Sequence, residues 1–343
     1  MVKRPATLLF LLLLVSLILV AFPQIDMVKA EDVIYIRADG SIDPSTAPIQ
    51  RIEEVYTLVG NIEEFVIVER NNTVFDGSGY TVGGISGPPV VWTEELGWHT
   101  NITTGITITN TVINGGGIIF VEASNSIIAN NTLNGGRGIS WGNGKGNMVY
   151  GNHVLNCNYT SVPDNPPPYG IGVGGSNNTI IGNYVIGTNG TAISLSMSTY
   201  NNTIAGNHIE NNKVGISASS IYSQGGTHDN LIYDNNFFNN TENVSHKVVG
   251  PADVSVNFWD NGAVGNYWSD YNGTDTDGDG IGDTPYVIDE NNQDNYPLIE
   301  STDIPVIPEF PSWIPLLSAL VAVVVVAMIY RRRLHKQNQR GGK

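Results

Sequence analysis

The chain has 343 residues, 41% hydrophobic and only 14% charged, with a formal net charge of −16. Between residues 31 and 310 seven basic side chains face 31 acidic ones, a net charge of −24, which excludes nucleic acid and other phosphate-rich polymers as partners held by charge. Cys157 is the single cysteine, which excludes an intrachain disulfide as the source of stability.

Residues 1–30 read as an export signal. Lys3 and Arg4 precede an apolar run at 7–22, and Val28, Lys29 and Ala30 supply the cleavage region. Residues 31–60 are then an N-terminal cap region.

Residues 61–261 repeat. Asn125-Ser-Ile-Ile-Ala-Asn130 is followed by Asn147-Met-Val-Tyr-Gly-Asn152, Asn178-Thr-Ile-Ile-Gly-Asn183, Asn202-Thr-Ile-Ala-Gly-Asn207 and Asn230-Leu-Ile-Tyr-Asp-Asn235. The second Asn recurs at 110, 130, 152, 183, 207 and 235. Such a period suits a coil of three short strands per turn, with loops lengthening some turns. Alternate strand residues point inward, so Ile127, Val149, Ile180, Ile204 and Ile232 are expected to stack along one interior line. Asn tolerates the left-handed backbone of a tight corner, and stacked Asn side chains can bond from turn to turn. A leucine-rich repeat has a similar period but needs Leu where this chain has Ile, Val and Gly. The expected fold is all-β: a right-handed parallel β-helix, the hand being that of parallel crossovers in general. Inserts at 83–100, 160–169 and 219–227 protrude from it.

Residues 262–300 form an Asp-rich block capping the coil. Within it, Asp275, Asp277, Asp279 and Asp283 occupy positions 1, 3, 5 and 9 of a calcium loop, with Gly280 at 6 and the Ile281 carbonyl at 7. Position 12 is Tyr286 where such loops carry Glu. A structural calcium ion is the expected cofactor. A Pro-rich linker, 301–312, leads to an apolar stretch at 313–330 that is long enough to span a bilayer. Arg331, Arg332 and Arg333 follow, so the tail 331–343 belongs on the cytoplasmic side and the body outside.

The Asn-Asn-Thr-Ile repeats, with Gly265-Asn-Tyr-Trp-Ser-Asp-Tyr271 and the Asp-rich block, resemble the NosD-like right-handed β-helix proteins, a carbohydrate-binding and sugar-hydrolysis type of repeat found on archaeal surface proteins. The resemblance covers residues 61–299. It implies the fold and a surface location. The family name also implies copper, which calls for clustered Met, Cys or His. This chain has one Cys, five Met and six scattered His.

The residue after each second Asn gives a further column: Asn131, His153, Tyr184, His208 and Asn236. If these face outward, His153, Tyr184 and His208 make a stripe suited to a sugar chain. His153 and His208 then lie two turns apart, roughly 10 Å, too far to share a metal. For catalysis no constellation of base and paired carboxylates emerges. The sequence therefore points to a membrane-anchored binding protein for carbohydrate or a cell-envelope polymer. A polysaccharide lyase, epimerase or hydrolase, and NosD-like copper-site maturation, are the alternatives. Sequons at Asn71, Asn101, Asn158, Asn189, Asn243 and Asn272 permit glycosylation outside the cell.

Overall fold

A computed structural model of the protein describes residues 33–304, apart from 90, 94–96, 100–101, 160–167, 196–198, 219, 222–225, 247 and 250–254. The expected export signal, membrane helix and basic tail lie outside the described residues. Among the described residues there are strands and turns but no helix.

Each repeat has room for three or so extended residues between two corners, so strands are short and the chain turns often. It visits three sheets in rotation. Gly138–Lys145 lies in the first sheet, Met148–Tyr150 in the second and His153–Leu155 in the third, and Tyr169–Ser176 returns to the first. Each pairs in parallel with its counterpart one winding later, as a β-helix requires. The parallel pairing begins at Ile34–Ile36, which lies beside Phe65–Val68.

The interior is a set of columns of like residues. In the second sheet Ile108, Ile128, Val149, Ile180, Ile204 and Ile232 are in register and buried. In the third, Ile113, Leu133, Val154, Val185, Ile209 and Phe237 do the same. Each such side chain contributes about 1.5–3 kcal/mol of burial that a single winding could not secure. The structure corrects the expected column at one place: Ile128, not Ile127, faces the interior. Ile127 lies between Thr107 and Met148 on the outer face. The copy at 125–130 is offset by one residue from the others, and a one-residue offset turns every side chain to the opposite face.

Both ends are closed. At the N-terminal end the hairpin Ile49–Ile52 with Val55–Leu58 and the short strand Ile42–Asp43 add antiparallel strands to the sheet edges. At the other end Phe237, the last core residue of its column, stacks on Trp268 (4.3 Å between centroids, 10° between planes), and Trp268 stacks on Tyr286 (4.2 Å, 5°). Trp259 and Trp268 are buried, so this plug of rings seals the open end of the core.

Candidate functional site

The corners position the outer faces. At most corners a residue in the left-handed region precedes a buried polar residue. Asn130, Gly151, Gly182, Gly206 and Asp234 take the left-handed place at one corner, with φ between 54° and 66°. The residues after them, Asn131, Asn152, Asn183, Asn207 and Asn235, form a ladder. The backbone N–H and side-chain amide of each donate to the Oδ1 of the next, at 2.8–3.0 Å between Asn152, Asn183, Asn207 and Asn235. Asn131 is thus a ladder residue and not part of the outer column, which holds Thr132 in its place. A parallel ladder runs through Asn147, Asn178, Asn202, Asn230, Asn257 and Asn292. Satisfied on every side, these buried amides rigidify the corners and fix where the next strand starts.

The first ladder ends on a carboxylate. Asp294 accepts N–H groups from Asn266 (2.7 Å), Trp268 (2.9 Å) and Tyr296 (3.0 Å). Burial pushes its pKa up to about 6 even though these donors favour the charged form. Sequence reasoning missed Asp294 because no copy of the hexapeptide precedes it.

On the outer face of the third sheet Thr132, His153, Tyr184, His208, Asn236 and Tyr267 are in register. His153 stacks on Tyr184 at 4.7 Å and 24°, and Tyr184 is tilted against His208 at 5.5 Å and 35°. Phe238, two residues further along in register with Glu210, is tilted against both His208 (5.1 Å) and Tyr267 (4.9 Å). His153 and His208 have the Tyr184 ring between them and do not converge. The Tyr184 hydroxyl and the imidazole nitrogens of His153 have no hydrogen-bond partner among the described residues, with His153 exposed and Tyr184 half-buried. His208 Nε2 lies 2.7 Å from Glu210 Oε2. Asn236 is buried, its amide paired twice with the peptide of Thr302 (2.8 and 3.0 Å), so the chain's own C-terminal segment closes the column at that end.

In the Asp-rich loop, Asp275, Asp277 and Asp279 bring carboxylate oxygens within 4.8 Å of one another. Asp275 accepts N–H from Gly278 (2.7 Å) and Gly280 (2.9 Å), and Asp279 from Ile281 (2.8 Å). Gly278 and Gly280 have φ of 75° and 88°, a backbone that curls the loop round its acids. The structure does not bring Asp283 to the trio. Its carboxylate accepts from Thr276 N (2.9 Å), Thr276 Oγ1 (2.5 Å) and Thr274 Oγ1 (3.2 Å), led by the Thr276 hydroxyl, and these hold its pKa below the usual range. Ile281 is bridged to Leu298.

These features define a parallel β-solenoid whose candidate sites lie on an outer column and at an end cap. The chain belongs to the family described as "Periplasmic copper-binding protein (NosD)", which it matches over residues 62–273. It is 40% identical over 85 residues to a protein of Pseudomonas aeruginosa named "Probable ABC transporter binding protein NosD", covering 25% of this chain and 19% of that one. It is 35% identical over 107 residues to a protein of the same name from Stutzerimonas stutzeri, 31% of this chain and 22% of that one. The matched segment thus spans about a fifth of the length of these relatives.

The donor set does not fit copper. Among the described residues the one trio of His, Cys or carboxylate groups with converging ligand atoms is Asp275, Asp277 and Asp279, all hard oxygens, where copper favours imidazole and sulfur. Cys157 is buried, and burial pushes its thiol up to about 12, far from the thiolate a metal needs. His228 and His246 are taken up by Asp229 and Asp289 respectively.

Proposed function

We propose that the protein is a surface-displayed, right-handed β-helix, exported by residues 1–30 and anchored by residues 313–330. It binds a carbohydrate or other hydroxyl-rich envelope polymer along the outer face of its third sheet. The observation that supports this is the row of rings His153, Tyr184 and His208 on successive windings. It offers a hydroxyl and imidazole nitrogens at the spacing of successive windings, roughly 5 Å. The rings recognise a ligand through hydrogen bonds from these groups. Bound calcium in the Asp275–Asp277–Asp279 loop holds the capping block.

A glycan array probed with the purified full chain tests this. Binders should lose affinity about tenfold on Tyr184→Phe, the scale of one hydrogen bond to a ligand. An array without binders, or binding indifferent to Tyr184→Phe and His153→Ala together, would sink the reading.

A second reading rests on the family match: a NosD-like component of copper-site maturation, in keeping with the family's description as periplasmic copper-binding and with relatives named as ABC transporter binding proteins. Equilibrium dialysis against Cu(I) separates the two. Under the second reading the purified chain takes up stoichiometric copper, and under the first it does not.

A further inference from the structure

Two of the exposed Asn-x-Thr sequons open on one groove. At the corner leading from the third sheet to the first, an open groove of about 410 Å³ is lined by residues that include Asn189, Asn211, Lys213, Asn239 and Thr241, with the Asn211 amide donating to Glu210 (2.9 Å). Asn189 begins Asn189-Gly190-Thr191, and Asn239 begins Asn239-Asn240-Thr241. Both are exposed, and neither side-chain amide has a hydrogen-bond partner among the described residues.

Asn158 and Asn272 begin exposed sequons outside the groove, and at two further sequons the Asn side chain is taken up. The Asn243 amide is held by Asp270 Oδ1 (2.9 Å) and the Tyr286 hydroxyl (3.3 Å), and Asn71 Oδ1 accepts the Thr104 N–H (2.9 Å). Asn177 and Asn201 are exposed but lie on successive windings of one corner, roughly 5 Å apart, too close for both to carry a branched group. At the groove the corner ladder runs Thr188, Asn212, Asn240. Asn189 follows its first member and Asn239 precedes its last, so the two are about two windings apart, roughly 10 Å. Asn239 has φ 48°, so it sits at the left-handed corner itself, while Asn240 beneath it serves the ladder.

We propose that Asn189 and Asn239 are N-glycosylation sites and that the groove seats the first sugars of both glycans. The sugar hydroxyls meet Asn211, Thr241 and Lys213, groups that hydrogen-bond without adding to the negative charge. In the transfer, Asn Nδ2 forms a bond to C1 of a lipid-diphosphate-linked oligosaccharide, the C1–O bond to diphosphate breaks, and one Nδ2 proton passes to the transferase's base. The lipid diphosphate leaves, and no redox partner is needed. This inference does not depend on what the ring column binds.

The test is mass spectrometry of peptides from the full chain purified from the membranes of its own host. The peptides bearing Asn189 and Asn239 are expected mainly at glycan-shifted masses, and the peptide bearing Asn243 at its unmodified mass. Asn189→Gln and Asn239→Gln each remove one glycan from the intact mass. Thr191→Ser, which keeps the sequon and the buried hydroxyl, leaves the Asn189 glycan in place. Recovery of both peptides at unmodified mass overturns the proposal, and so does a glycan on Asn243, since the fold would then not select the sites.

Discussion

Trp268 donates its indole N–H to Asp294 Oδ2 at 2.9 Å, and both residues are buried at the sealed end of the coil. The bond ties the plug of rings to the last rung of the Asn ladder. The core's end and the corner's end are therefore closed by the same carboxylate.

Stability should depend on pH through that group. In the unfolded chain an Asp titrates near 4, and in the fold burial raises Asp294 to about 6. The folded state thus holds the proton more tightly. The stability this provides is complete below about pH 4 and is lost as pH rises to about 6, a loss of about 3 kcal/mol at most. Thermal midpoints of the wild type and Asp294→Asn, compared between pH 4 and 7, should diverge in that window. Parallel profiles would show that Asp294 is not the titrating group.

The ladder should fail sharply at an interior rung. Asn207 Oδ1 accepts two N–H groups of Asn183, and its amide donates to the carbonyls of Ile180 and Ala205 and to Asn235. Asn207→Ala leaves several buried groups unpaired and should cost about 3 kcal/mol or more. Asn201→Gly, at an exposed left-handed corner (φ 54°), should cost less than about 1 kcal/mol. Urea melts of the two variants read the difference.

The register can be checked with adjacent residues. Ile128→Ala empties an interior place and should cost about 2–5 kcal/mol. Ile127→Ala, on the outer face, should cost far less. Equal costs would place the register one residue away.

Calcium should raise the melting temperature, and a chelator should reverse it, since hard oxygens converge at the cap. Asp277→Ala is the clean probe, because Asp275 and Asp279 also hold backbone N–H groups of the loop. The expected result is an unchanged apo melt and a calcium shift that disappears. A shift retained in this variant would remove the loop as the site.

The solenoid was legible because its signal is repetition. Inward Ile and Val, corner Asn and Gly, and a steady period survive insertions, since each winding needs only its neighbours. The copy at 125–130, like Asn110 one winding earlier, has Asn where later copies have Gly151, Gly182 and Gly206, and the ladder place there falls to Asn131 and Thr111. Asn serves both the left-handed corner and the ladder, so composition could not tell the two places apart. His153, Tyr184 and His208 were readable as a column for the same reason, since equal register puts them one above another.

Orientation and closure lay beyond reach of any local pattern. That the ring of His153 stacks on Tyr184 while His208 tilts against it follows from side-chain torsions set by neighbours a winding away. Phe238 meets His208 from a different column, Thr302 folds back onto Asn236, and Asp294 ends a ladder begun more than 160 residues earlier. Spacing along a chain encodes what repeats. Which side chains meet where the repeat stops is decided only when distant windings compete for the same buried donors and the same space.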